Sequence, residues 1–323
     1  MRPRIVMLLA FVIAAVAVGF TGARFTYLPA TPPAVHASLP PAPASYLGVF
    51  ENGTPPSYGP IKGFAQAVGA EPNLIGYYSG WAQPFATSFA ETMHDHGVIP
   101  FVQIDPTLAS VSGIADGVYD GYLKLYADSV RDFGHAVVIG FGHEMNGSWY
   151  SWGYGNVLPS TFVAAWRHIW NVFRGEGADN VTWLWTIQAD QPGTGPIASW
   201  WPGARYVNWV GIDGYYSKPS DTFASVFVPT INQVRGLTGK PILLAETAVG
   251  RPDNQFSSIL NLFDGMGQYK TLGLVWFDKN QLHQTTPPGT PHEDWRIEGN
   301  TQAQLAFRAG VHGLTLASTG SHS

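Results

Sequence analysis

Between residues 46 and 278 short apolar runs alternate with longer stretches in which apolar residues recur every three or four positions. Eight such runs stand out, at 46–51, 74–81, 98–105, 136–144, 181–188, 207–216, 241–247 and 272–278. Each is too short for a helix and nearly all apolar, the pattern of a strand buried on both faces in a parallel sheet. Residues 122–133 and 161–174 carry apolar side chains at helical spacing, with Pro159 and Ser160 opening the second and Gly175 stopping it. Eight strands alternating with helices predict a (β/α)8 TIM barrel over about residues 46–314.

The flanks read differently. Arg2 and Arg4 precede an unbroken apolar run over 5–20, followed by small residues, which predicts an export signal or a short N-terminal anchor over 1–27, with cleavage favoured. Residues 28–45, LPATPPAVHASLPPAPAS, lack apolar periodicity and predict an extended Pro/Ala-rich linker. The small polar residues at 315–323 predict a fraying tail. The protein is thus expected outside the cytoplasm, secreted or tethered through its N-terminus and otherwise not inserted in a membrane, and a monomer.

Composition narrows the function. Seventeen Lys and Arg against 22 Asp and Glu, with no basic run, offer no face that neutralises phosphates, so nucleic acid is excluded as a charge-driven partner. There is no cysteine, which removes disulfides, thiolate nucleophiles and Cys-bound metal. Aromatic residues reach 14%, including 12 Trp and 14 Tyr, side chains that stack on the flat apolar faces of sugar rings.

In a barrel the chemistry gathers at the C-terminal ends of the strands. There the chain presents Glu51, Tyr78 and Trp81, Gln103 and Asp105, His143 and Glu144, Gln188 and Asp190, Asp213 and Tyr215, Glu246, then Trp276 and Asp278. His143-Glu144 does not fit a zinc protease, which needs a second His one helical turn on, where Gly147 stands. His94 and His96 sit in a predicted surface helix and read as its solvated face. Neither metal nor cofactor is expected. Glu144 and Glu246 end the fourth and seventh strands, so they should face each other across the barrel mouth. A gap of about 5–5.5 Å would suit a retaining glycosidase and one of roughly 6.5–9.5 Å an inverting one. Trp81 and Trp152 are candidate sugar platforms, whereas Trp166, Trp170, Trp183 and Trp185 read as packing. Asn52, Asn146 and Asn180 begin N-x-S/T triplets.

The segments HEMNGSWYSWG (143–153), WRHIWNVFRGEGADNVTWLW (166–185), VNWVGIDGYY (207–216) and LLAETA (243–248), in that order, resemble glycoside hydrolase family 26. This family of barrels includes endo-β-1,4-mannanases, β-1,3-1,4-glucanases and β-1,3-xylanases. The resemblance implies that Glu144 is the general acid/base and Glu246 the nucleophile of a retaining endo-β-glycanase acting on a β-mannan or related β-glucan. It also implies that His143 lines the cleavage subsite, Tyr215 hydrogen-bonds near the nucleophile, Trp149 walls the leaving-group side, and Trp276 is the platform under the attacked sugar. Three positions depart from the family pattern. Gly140-Phe141 replaces an Arg-Pro pair, Asn208 stands where Asp is frequent, and WTIQAD replaces a Ser-Pro-Asn-type strand ending. The lost guanidinium keeps open a rival expectation, a non-catalytic, wall-associated polysaccharide-binding protein on a degenerate barrel.

Overall fold

The structure, a computed structural model, describes residues 39, 45–55, 57–250, 254–282 and 293–317. Eight strands pair in chain order: β1 (Tyr46–Glu51), β2 (Leu74–Gly80), β3 (Ile99–Asp105), β4 (Val137–Phe141), β5 (Val181–Gln188), β6 (Trp209–Tyr216), β7 (Ile242–Val249) and β8 (Gly273–Asp278). All neighbours are parallel, and β8 pairs with β1 over the whole of both strands. The molecule is the (β/α)8 barrel that the apolar runs predict. Closure leaves no strand edge unpaired, so the apolar runs are buried by helices outside and by one another inside.

The barrel interior is packed with rings. Phe50 lies at its centre, 4.9 Å from Tyr78, 5.5 Å from Phe101 and 6.3 Å from Phe277 between ring centroids. The two helices expected from periodicity span Asp120–Phe133 and Pro159–Gly175. They are tied by His168, whose Nε2 lies 2.6 Å from Asp120 Oδ1. The helix Thr87–Asp95 carries His94, stacked on His135 at 3.5 Å, and His96 just beyond it stacks on Tyr58 at 4.0 Å. These two histidines therefore make ring contacts, where a merely solvated face was expected.

At the bottom of the barrel one side chain joins both ends of the domain. Asn73 is buried, accepts from Leu47 N at 2.9 Å, and donates to Ser45 O and Ala317 O at 3.1 Å each. Ser45 also bridges Leu316 in parallel, through Ser45 N to Thr315 O at 2.6 Å and Ala317 N to Ser45 O at 2.8 Å. Residues 315–317 consequently belong to the domain, a correction to the expected fraying tail, because their backbone groups find partners there. The export signal or anchor over 1–27, the linker apart from Leu39 and Ser45, and residues 318–323 lie outside the described residues. Among the described residues no helix is long and apolar enough to cross a membrane.

Two strands carry the irregularities that matter for the site. β4 ends at Phe141, so His143 and Glu144 stand in the turn beyond it and not on the strand as expected. In β7 the register shifts on both sides, with Ile212 opposite Leu244 but Asp213 opposite Glu246, leaving Ala245 as an extra residue. Such a bulge resets the alternation of side chains, and here it does so one residue before Glu246.

Candidate active site

Six strands, together with the turns that follow β1 and β4, line one cleft of about 370 Å³ at the C-terminal end of the barrel. Glu144 and Glu246 both line it, with Tyr78, Asp105, His143, Trp149 and Tyr215 close by.

The turn bearing Glu144 is fixed from several directions. Gly142 N donates to Ile104 O at 2.9 Å and Glu144 N to Thr186 O at 3.0 Å, which bind the turn to the strands on either side. Asn146 exchanges two bonds with the backbone of Gln188, at 2.9 and 2.8 Å, so its amide acts as an extra rung of the sheet. Trp152 Nε1 donates to His143 O at 2.9 Å. These bonds hold Glu144 at a φ of 53°, a left-handed conformation that costs a non-glycine residue roughly 1–2 kcal/mol. The cost is local and the scaffold around it sustains it. The same burial bears on the glycosylation triplets: Asn146 and Asn180 are buried with their amides engaged, which leaves no access for a glycan in the folded domain.

The two carboxyls are treated oppositely by their surroundings. Glu246 receives a hydrogen bond on each oxygen, from the Tyr78 hydroxyl on Oε1 and from the Tyr215 hydroxyl on Oε2, the latter at 2.6 Å. Two donors aimed at two oxygens suit an acceptor-only, ionised carboxylate. The Glu144 carboxyl is pushed up to about 7. Burial is the main cause; the His143 charge pulls the other way, the Glu246 charge adds to the rise, and a 2.6 Å bond from Trp149 Nε1 opposes it. Glu144 is thus raised toward neutrality, while Glu246 presents both of its oxygens to hydroxyl donors.

Around them lies a polar and aromatic frame. His143 Nδ1 is 2.8 Å from Asp105 Oδ1 and its Nε2 is 3.2 Å from the Tyr150 hydroxyl. Burial works against an imidazolium there, but Asp105, then Glu246 and Glu144, outweigh it and push His143 up to about 9. Asp213 is fully buried beside Glu246, and burial first, then the charges of Glu246 and Glu144, push it well above the ordinary carboxylate range. Lys279 stands 4.9 Å over the Tyr78 ring and 5.0 Å over that of Phe277. Burial lowers its pKa, against the pull of Glu246 and Glu51.

The structure thus brings together Glu144, Glu246, His143, Tyr215 and Trp149 among the residues singled out from the sequence. It does not bring Trp276, Trp152 or Trp81 to the cleft. Trp276 is fully buried, packs edge-on against Phe307 of the helix Thr301–His312 at 5.1 Å, and donates to Trp295 O. Its side chain points out of the barrel because strand neighbours alternate, and Phe277 takes the inward position. Trp295 completes the floor, its ring 5.0 Å from that of Tyr215 and its Nε1 donating to Gln281 Oε1 at 2.9 Å. Trp152 stacks on Tyr150 at 4.4 Å, supporting the His143 turn from behind. Trp81 packs against Tyr122 and Tyr119 at 4.9 and 5.5 Å. At Gly140, where an Arg is expected from the family pattern, any Cβ would collide with the Gln103 carboxamide, which donates to Thr186 Oγ1 at 2.9 Å. Gln103 therefore occupies the space into which a side chain at position 140 would have to grow.

The geometry has counterparts among known proteins. The family model described as glycosyl hydrolase family 26 matches residues 84–261. Endoglucanase H of Acetivibrio thermocellus is 28% identical over 276 residues, 80% of this chain and 29% of that protein. Mannan endo-1,4-beta-mannosidase A and B of Caldalkalibacillus mannanilyticus is 27% identical over 170 residues, 48% of this chain and 31% of that protein. The chain therefore spans less than a third of either relative. The catalytic domain of an endo-beta-1,4-mannanase from Bacillus sp. JAMB-750 superposes with a TM-score of 0.65 at 15% identity, over 86% of this chain and 88% of that one.

Proposed function

We propose that this chain, which belongs to glycosyl hydrolase family 26, is an exported, retaining endo-β-glycanase that cleaves β-1,4-mannan or a related β-1,3-1,4-glucan, with Glu246 as nucleophile and Glu144 as acid/base. The observation that carries the reading is the opposite setting of two glutamates in one cleft: Glu246 bonded by two phenols, Glu144 buried and raised to about 7. Glu246 attacks the anomeric carbon while Glu144 gives its proton to the departing glycosidic oxygen, so that bond breaks as a glycosyl ester forms on Glu246. Glu144, now a carboxylate, takes a proton from water, whose oxygen displaces Glu246 and leaves the sugar with its original anomeric configuration.

His143, held by Asp105, and the rings of Trp149, Phe277 and Trp295 position the sugar so that the scissile oxygen meets the Glu144 proton. Both substrate classes occur in the names of relatives, an endoglucanase and a mannan endo-1,4-beta-mannosidase. The longer match to the endoglucanase favours testing glucan on equal terms with mannan.

The test is reducing-sugar release from glucomannan, galactomannan, mixed-linkage β-glucan and β-1,3-xylan, with the first-formed anomer read by proton NMR. Release of the β-anomer, lost about 10³-fold or more in Glu144→Ala and Glu246→Ala, supports the reading. Inactivity on all four polymers, or an α-anomer as first product, overturns it.

A further inference from the structure

We propose that Lys279 is a substrate-binding residue, whose ammonium donates hydrogen bonds to hydroxyls of the sugar that Glu246 attacks, across the scissile bond from Glu144. This contact deepens the glycosidase reading above and rests on it for the nature of the ligand, a neutral β-glycan.

Backbone and rings together place the ammonium. Lys279 directly follows β8, its N–H donating to Phe277 O and its carbonyl accepting from Trp295 N, each at 3.0 Å. From that anchored position the side chain reaches over three rings, with Nζ 4.9 Å from the centre of Tyr78, 5.0 Å from Phe277 and 5.7 Å from Phe50. Ring faces attract a cation, but they do not take up its three N–H donors as oxygen acceptors would. Among the described residues no oxygen accepts from Nζ and no carboxylate forms an ion pair with it. Lys279 is also the only lysine or arginine among the described residues that line the cleft. It is half-buried, and this loss of water is the main cause of its lowered pKa. A partly desolvated ammonium with unfilled donors is costly until a ligand brings oxygens to it.

Position selects which sugar supplies them. In the closed ring β8 stands four strands from β4, so Lys279 lies across the cleft from the turn that carries Glu144 and Trp149. Glu144 meets the departing oxygen, which puts the leaving sugar on its own side and the attacked sugar toward Lys279. The ring under Lys279 is that of Tyr78, whose hydroxyl bonds Glu246, so the cation and the attacking carboxylate border the same part of the cleft. Charge selects the kind of oxygen. The Glu246 charge that acts on Lys279 would repel an acidic substituent placed between them, whereas a neutral hydroxyl accepts from the ammonium without that penalty.

The test is calorimetric binding of hexasaccharides of β-1,4-mannan and of mixed-linkage β-glucan to Glu246→Gln, in which the ligand stays uncut. Adding Lys279→Met keeps an unbranched stem over the rings and removes the donors. Affinity for the tighter-bound hexasaccharide should fall about 10–100-fold, the loss expected of a hydrogen bond from a charged group, while the melting temperature of the free protein hardly moves. Lys279→Leu carries the same expectation should Lys279→Met fail to fold. With Glu246 in place, either substitution should lower kcat/KM by a similar factor. An affinity that does not depend on Lys279 overturns the proposal and leaves the reaction at Glu144 and Glu246 untouched. Failure of both hexasaccharides to bind Glu246→Gln overturns it as well. Lys279-dependent binding by a chain that cleaves none of the polymers would deny the reaction and uphold the contact.

Discussion

Glu246 owes its setting to two phenol hydroxyls, and each is separately removable. Tyr215→Phe keeps the ring against Trp295 and Phe277 but withdraws the 2.6 Å bond from Oε2. A hydrogen bond to a charged group contributes about 1.5–3 kcal/mol, so kcat/KM should fall roughly 10–100-fold while the melting temperature hardly moves. Glu144 sets a pH limit. As the proposed acid it must be protonated to release the leaving group, so kcat/KM should decline as pH rises through about 7. The Trp149 N–H bond stabilises the ionised form of Glu144. Removing it in Trp149→Phe raises the pKa further, and the alkaline limb should move up by about half to one pH unit. A limb that stays in place or moves down would deny Trp149 this role. At this scale the sequence was readable only in part. Glutamates after apolar runs announce themselves, and Tyr215 follows from the resemblance. The choice between Trp276 and Phe277 does not, because both faces of a parallel barrel strand are buried in apolar surroundings and composition does not reveal its phase. Nothing in the sequence singles out Trp295 and Lys279, for a different reason: both lie beyond the last strand, where no periodicity marks them.

Strands and helices were far more visible than the departures from them. All eight apolar runs coincide with strands to within a few residues, since burial on both faces writes itself directly into composition. The early end of β4 and the extra Ala245 in β7 left no trace, although they set where Glu144 and Glu246 stand. Each depends on hydrogen bonds to neighbouring strands and not on local propensity. The β3–β4 pair makes a testable case. Gly140→Arg restores the residue expected from the family pattern, but Gln103 fills the space, so overpacking should cost about 1–3 kcal/mol and lower the melting temperature by several degrees. Adding Gln103→Ala should recover a substantial part of that loss. A double variant whose two effects simply add would show that the two side chains do not compete for one space.

Across the whole molecule the two ends of the barrel divide the labour, with chemistry at the strand C-termini and cohesion at their N-termini. Asn73→Ala, which removes three bonds, two of them buried, joining Leu47, Ser45 and Ala317, should cost roughly 2–4 kcal/mol in unfolding experiments. Its kcat/KM should stay close to that of the unaltered chain, since Asn73 belongs to the opposite end from the cleft. A large catalytic loss without a thermal one would break this division. Closure of the barrel also governs how the protein comes into being. Since β1 pairs with β8 along its full length, the strand made first keeps one edge open until the strand made last has emerged. A growing chain short of residue 278 carries an apolar, hydrogen-bond-hungry ribbon, and whatever shields that ribbon during synthesis decides how much finished protein a cell obtains.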